Sequence, residues 1–194
     1  MSKDTHNPQN LYSTQDKDKL FSYFKNAKST KKTKDIFISD YLELVSNPAR
    51  KEAAEKLREL PAVAYKKAKI YEPCITGSGT TAKGRTLETK NGLAVVDFDI
   101  LPNEFKSWQE LKEHLQNDPF TFIVHYSLSS KGLALFVKIP IENNFKEIYL
   151  SLAEYYDLMF GAKIDFLADE SRLRFLAYDP KPFYNPNSEV YPDT

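Results

Sequence analysis

Short apolar runs alternate with two amphipathic stretches from Leu93 to Tyr178, and this order constrains the fold more than any other feature of the chain. Leu93 to Asp99 reads as a first strand. Ser107, with Glu110 three residues on, forms a capping box that starts a helix running to about Gln116, and Asn117-Asp118-Pro119 stops it. Phe120 to Ser127 and Gly132 to Ile139 are two further strands joined by a turn over Ser127 to Lys131. Asn144 caps a second helix, in which Phe145, Ile148, Tyr149, Leu152, Tyr156 and Met159 keep helical spacing and Gly161 marks the C-terminus. Arg172 to Tyr178 is a fourth strand, and a Pro-rich tail follows.

The order β-α-β-β-α-β predicts an α+β protein with a ferredoxin-like, RRM-like core, the arrangement that also describes polymerase palms. Right-handed crossovers would put strands one and three at the centre of an antiparallel sheet with both helices on one face, leaving the other face free. Asp97 and Asp99 close the first strand, one residue apart. Side chains alternate along a strand, so the two carboxylates point the same way and repel each other unless a cation lies between them. Mg²⁺ usually binds through one or two carboxylates plus substrate phosphates, although a strand end turning into solvent accounts for two acids equally simply.

Three more residues are expected near this free face. Asp165 follows the second helix, and Arg172 and Arg174 share one face of the fourth strand. A third carboxylate and an arginine beside a carboxylate pair suit two-metal phosphoryl transfer.

The first ninety residues read differently. Residues 1 to 16 are polar and aperiodic, Asp18 to Asn26 reads as a short helix, and Lys28 to Lys34 is a lysine-rich loop, either solvated linker or a nucleic-acid contact. Helices are expected from Ser39 to Val45, from Asn47-Pro48 to about Leu60, and from Ala62 to Lys69, the last carrying Lys66, Lys67 and Lys69. Gly79 to Thr86 nearly matches a Walker A loop. Arg85 stands where lysine is needed and a strand follows instead of a helix, so a P-loop is excluded, while Lys83 and Arg85 remain available to phosphates. The expected division is a flexible basic segment over 1–34, a mainly helical extension with the Gly-rich loop over 35–91, the core over 92–180 and the tail over 181–194.

Charge divides in the same way. Residues 1–90 hold 18 Lys/Arg against 11 Asp/Glu, and residues 91–194 hold 9 against 16, so the halves carry +7 and −7. A basic half suits phosphate tracking and an acidic half suits metal ions, unless both are merely solvated faces. Cys74 is the lone cysteine, which excludes an internal disulfide, and His6, His114 and His125 lack zinc-ligand spacing. Neither a membrane span nor a signal peptide is visible, so no membrane contact and a cytoplasmic location are expected.

Val95-Val-Asp-Phe-Asp99, Ser127-Leu-Ser-Ser-Lys-Gly-Leu133, and Ile164-Asp165-Phe166 with Asp169-Glu-Ser-Arg172 resemble the three ordered motifs of archaeo-eukaryotic-type primases and primase-polymerases. With Pro73-x-Ile-Thr-x-Ser-Gly79 before them and Tyr178-Asp-Pro180 and Tyr184-Asn-Pro186 after, the chain more closely resembles the VirE N-terminal domain family of phage and mobile-element replication proteins. The resemblance implies Asp97, Asp99 and Asp165 as catalytic, metal-binding acids for Mg²⁺ or Mn²⁺. It also implies Ser127, Ser129, Lys131, Gly132 and Arg172 as nucleotide-phosphate contacts, and a helicase-type ATPase as fused or separate partner. One position departs. Many active primases carry a histidine two residues after the second motif's glycine, and here that position is Ala134, so Lys131 or Arg172 would have to supply the triphosphate contact.

The function expected is therefore a primase-polymerase-like domain that binds nucleoside triphosphates and single-stranded or primed DNA. Lys66, Lys67, Lys69, Lys83 and Arg85 are its expected nucleic-acid contacts. The alternative is a binding module of a replication complex that kept the fold and lost the chemistry. A metal-dependent glycosyltransferase also uses Asp-x-Asp, but expects parallel βαβ units ahead of the acids.

Overall fold

A computed structural model of the protein describes residues 20–82, 86–141, 144–164 and 168–192. The protein is a mixed α/β structure, with five α-helices and three antiparallel sheets among these residues. The central sheet joins β6 (Leu93–Phe98), β7 (Thr121–Tyr126), β8 (Leu133–Lys138) and β10 (Phe183–Tyr184) in the order β10-β7-β8-β6. Helices α4 (Trp108–Leu115) and α5 (Phe145–Phe160) both cover one face of it. Leu111 and Leu115 from α4, and Ile148, Leu152 and Tyr156 from α5, meet Val96, Phe98, Val124 and Leu135 in a dry core. Ser107 Oγ accepts from the Glu110 N–H at 3.2 Å as predicted, and Gly161 ends α5 in the left-handed region at φ 62°, but Asn144 stands at the N-cap of α5 without a side-chain hydrogen bond, and Ser39 lies inside the helix Ile38–Ser46, whose N-cap is Phe37.

The opposite face is not free. A second sheet, ordered β2-β1-β3-β9, is built from β1 (Leu20–Phe24), β2 (Lys34–Phe37), β3 (Cys74–Thr76) and β9 (Leu173–Phe175). Together with α1 (Ile38–Ser46) it lays Phe21, Ile36, Ile38, Tyr41 and Val45 over Leu93, Val95, Phe122 and Phe136. Apolar side chains therefore leave the central strands on both faces, which is why Leu93-Ala-Val-Val96 and Leu133-Ala-Leu-Phe-Val137 are continuous apolar runs rather than alternating ones.

Two further expectations are corrected. Within the stretch expected as a helix over Asp18 to Asn26, Leu20–Phe24 is strand β1 and Lys25 and Asn26 form bends. Phe21 and Phe24 are buried in either conformation, but antiparallel pairing of Leu20 to Tyr23 with Phe37 to Lys34 satisfies the backbone as a hairpin, and tertiary pairing overrides local spacing. The lysine-rich loop is that hairpin's connection. The fourth core strand, β9, pairs with β3 instead of β6. The Arg174 side chain occupies the edge of β6, donating from Nη2 to the Val95 carbonyl at 2.7 Å, and so takes a place that a backbone ladder would need.

The remaining elements are α2 (Ala49–Arg58), α3 (Ala62–Ala68), a 3-10 turn over Lys69–Tyr71, and the small sheet of β4 (Gly79–Thr81) and β5 (Leu87–Lys90). Helices take more of residues 35–91 than strands do, in line with the expectation, but strands β2 to β5 are interleaved with them. The Pro-rich tail is also tied down. Beyond β10, the Tyr191 N–H reaches the Lys138 carbonyl at 2.8 Å.

Candidate functional site

A cleft of about 240 Å³ lies at the end where β6 stops and the β7–β8 turn begins. Asp97 and Asp99 both line it, as their alternation along β6 requires. The register places Asp97 beside Ala134 on β8, and Ala134 beside His125 on β7, so one row crosses three strands beneath the cleft. From the other side β9 contributes Arg172 and Arg174. Arg174 Nη1 donates to Asp97 Oδ2, and Arg172 Nη2 lies 3.8 Å from the same oxygen. Asp97 is thus held between two guanidiniums, while Asp99 stands more exposed at the rim.

The β7–β8 turn is shaped to face these acids. Ser130 sits at φ 55°, its N–H donates to the Ser127 carbonyl at 2.9 Å, and Ser127 N–H closes the turn on the Gly132 carbonyl at 2.9 Å. A Cβ on Gly132 would meet the Phe98 carbonyl oxygen at 2.5 Å, with Ser127 Oγ and Asp99 Oδ1 at 3.3 and 3.4 Å. Only glycine lets the turn lie this close to the end of β6. The result brings the Ser127 and Ser129 hydroxyls, 3.1 Å apart, to the acid side of the cleft.

The expected site residues separate accordingly. Asp97, Asp99, Ser127, Ser129, Arg172 and Lys69 line one cleft, and Gly132 forms its edge. Lys131 is exposed beside the cleft, with its backbone N–H bonded to Ser129 Oγ at 3.2 Å, and its side chain is not among the lining groups. Lys66 and Lys67 are exposed on α3 and do not line it. Asp165, Lys83 and Arg85 lie outside the described residues. Among the described residues no group of three or more His, Cys, Asp or Glu is placed to hold a metal ion.

Several lining residues were not singled out from the sequence. Tyr41 Oη lies 2.6 Å from His125 Nε2, and His125 Nδ1 lies 2.7 Å from the Tyr126 carbonyl oxygen. A carbonyl can only accept, so Nδ1 carries the proton and Nε2 accepts from the tyrosine. Burial pushes the His125 pKa down and the Tyr41 pKa up, keeping both neutral beside the charged acids and arginines. Tyr65 and Phe175 complete the rim, and Lys69 Nζ lies 5.9 and 5.4 Å from their ring centroids. A histidine lacking metal-ligand spacing and a tyrosine 84 positions away carry no local signal of this pairing.

Fold and site together define an α/β domain with an acid pair, two arginines and a serine turn gathered at one end of a doubly covered sheet. Residues 65–184 match the family described as BT4734-like, N-terminal domain, and the chain belongs to that family. This corrects the assignment to the VirE N-terminal domain family. The short motifs behind that assignment are residue types that any site for phosphate and cation shares, so they do not discriminate between families. The matched segment runs from Tyr65 through β10 and contains every lining residue except Tyr41. No curated protein and no solved structure matches the chain.

Proposed function

We propose that the cleft binds a nucleoside triphosphate with a divalent cation and supports transfer of its nucleotidyl group to single-stranded or primed DNA. The observation that carries this reading is the convergence of two strand-alternated carboxylates with two arginines and a serine turn in one cleft. Arginine presents a planar fork that matches phosphate oxygens, and Arg172 lines the cleft with its Nη2 3.8 Å from Asp97. Arg174 is fixed by the Val95 carbonyl and contributes a positioned positive charge. The serine hydroxyls can donate to phosphate oxygens that the arginines leave unbonded. Asp97 and Asp99 fit Mg²⁺ or Mn²⁺, which prefers one or two carboxylates plus phosphate oxygens and would neutralise charge building up on the transferred phosphoryl group.

Also proposed is the finer fold, a ferredoxin-like core over β6-α4-β7-β8-α5-β9. Its element order and the placement of both helices on one face support it, with β9 docked beside β6 through Arg174 instead of a backbone ladder.

A second reading has its own support. Arg174 bonds directly to Asp97, and Ala134 presents only a methyl group at the centre of the row, which suits a module that binds nucleotide without turning it over. Primer extension with labelled nucleotides and Mn²⁺ separates the two. Extension that disappears in Asp97→Asn establishes the enzyme. Nucleotide binding without extension establishes the module, and calorimetry showing equal Mn²⁺-nucleotide binding by wild type and Asp97→Asn overturns both.

A further inference from the structure

Aromatic rings and lysines follow one another from the cleft lining into the 3-10 turn beyond it. At the mouth, Tyr65 and Phe175 flank Lys69. Lys69 opens the 3-10 turn that ends at Tyr71, which is 59% exposed, and a 3-10 turn advances only about 2 Å per residue. Lys28, from the β1–β2 hairpin connection, lies 4.3 Å over the Tyr71 ring and donates to its hydroxyl at 2.6 Å. The turn is fixed in place by the Ala27 N–H, which donates to the Ile70 carbonyl at 3.0 Å. Glu72, the acid beside Tyr71 in the chain, is paired with Arg50 at 3.0 Å, so the negative charge nearest the turn in sequence is already neutralised.

Large rings held at the surface with cations over them are costly to leave in water and useful to a ligand that is both flat and anionic. Successive nucleobases stack on such rings while backbone phosphates meet the lysines, a combination that recognises single strands without reading sequence. A duplex hides its base faces and could use only the lysines.

We propose that Phe175, Tyr65 and Tyr71 form a stacking track for single-stranded nucleic acid, with Lys69 and Lys28 on its phosphates, leading the strand into the cleft. The track rests on the nucleotidyl-transfer reading for its purpose, but its binding is measured separately. A fluorescein-labelled oligothymidylate is titrated with the full chain over a series of salt concentrations and followed by anisotropy. Tyr71→Ala and Phe175→Ala should each weaken binding by about 5- to 100-fold and leave the dependence of log affinity on log salt unchanged. Tyr71→Trp should bind at least as well as wild type. Lys28→Ala should instead flatten the salt slope by about 0.7, the value for one single-strand phosphate contact.

Phe175 is half-buried, so its variant counts only if its circular dichroism and melting match wild type. Tyr71 is exposed enough to decide the question alone. Wild-type affinity in Tyr71→Ala, or a loss confined to Lys28→Ala, overturns the track. So does equal affinity for duplex and single strand. Nucleotide binding with Mn²⁺, measured in the same variants, tells the two readings apart. Nucleotide bound normally while Tyr71→Ala leaves oligonucleotide binding intact refutes the track and spares the cleft. Stacking-dependent oligonucleotide binding with no nucleotide binding supports the track and refutes the cleft reading.

Discussion

Two cation–carboxylate clusters tie distant parts of this chain together, and they differ in what they leave over. In the first, Lys112 of α4 donates to Asp179 at 2.6 Å with side chains only 4% and 1% exposed. Asp179 also accepts from the Tyr126 and Lys181 N–H groups at 3.0 and 2.9 Å, and Lys112 donates to the Lys181 carbonyl at 2.8 Å. Burial alone would raise the Asp179 carboxyl, but Lys112 and these two N–H groups outweigh it and hold the pKa below the ordinary value. Nothing in this cluster is left to bind a ligand. In the second, Asp97 faces two arginines, is 19% exposed, and opens into a cleft that also holds Asp99 and two serines. The closed pair fastens the fold, whereas the second cluster opens into a cleft.

The largest effect should come from breaking the closed pair. Lys112→Ala leaves Asp179 buried without its cation and should cost about 3–5 kcal/mol in urea unfolding, as removal of one partner from a buried pair does. Arg174→Ala should cost less, on the order of 1.5–3 kcal/mol for the lost charged hydrogen bonds. Equal costs would mean that the cleft pair is a fastener too.

A smaller effect sharpens the cleft itself. Arg172→Ala should weaken fluorescent dATP binding with Mn²⁺ by roughly tenfold or more, in keeping with a charged hydrogen bond. Lys131→Ala should change it by less than about twofold, because its side chain stands outside the lining. Comparable losses in both would show that the turn closes over the nucleotide and brings Lys131 in.

The smallest effect is on acidity. His125 has its pKa lowered from the ordinary 6.5, so below that value the unfolded chain takes up a proton that the folded protein refuses. Stability should be fully present above about pH 6.5 and decline as pH falls towards the folded pKa. Melting temperature against pH should lose that component in His125→Gln. An unchanged profile would place the acid sensitivity elsewhere.

Much of the α4–α5 half was legible because its signals are local. The Ser107 capping box, Gly161 and the helical spacing of Phe145 to Tyr156 each act within a few residues, and α4 and α5 stand close to where those signals put them. The paired acids were legible for the same reason, since strand alternation alone aims Asp97 and Asp99 at one side. The conformation of Leu20–Phe24 was not, because Phe21 and Phe24 suit either a helix or a hairpin until Lys34–Phe37 pairs with them.

Residues a few positions apart settle which stretches are apolar, roughly where α4 and α5 begin and end, and that two carboxylates share a side. Long-range packing settles the rest: the second face of the sheet is covered, β9 joins β3, and Tyr41 and His125 join Asp97 around one cleft. Those outcomes join residues far apart in the chain, 101 positions in the Cys74–Phe175 pairing of β3 with β9, and the free energy that selects among such pairings comes from burying both faces of the sheet at once, which no stretch of the chain does alone.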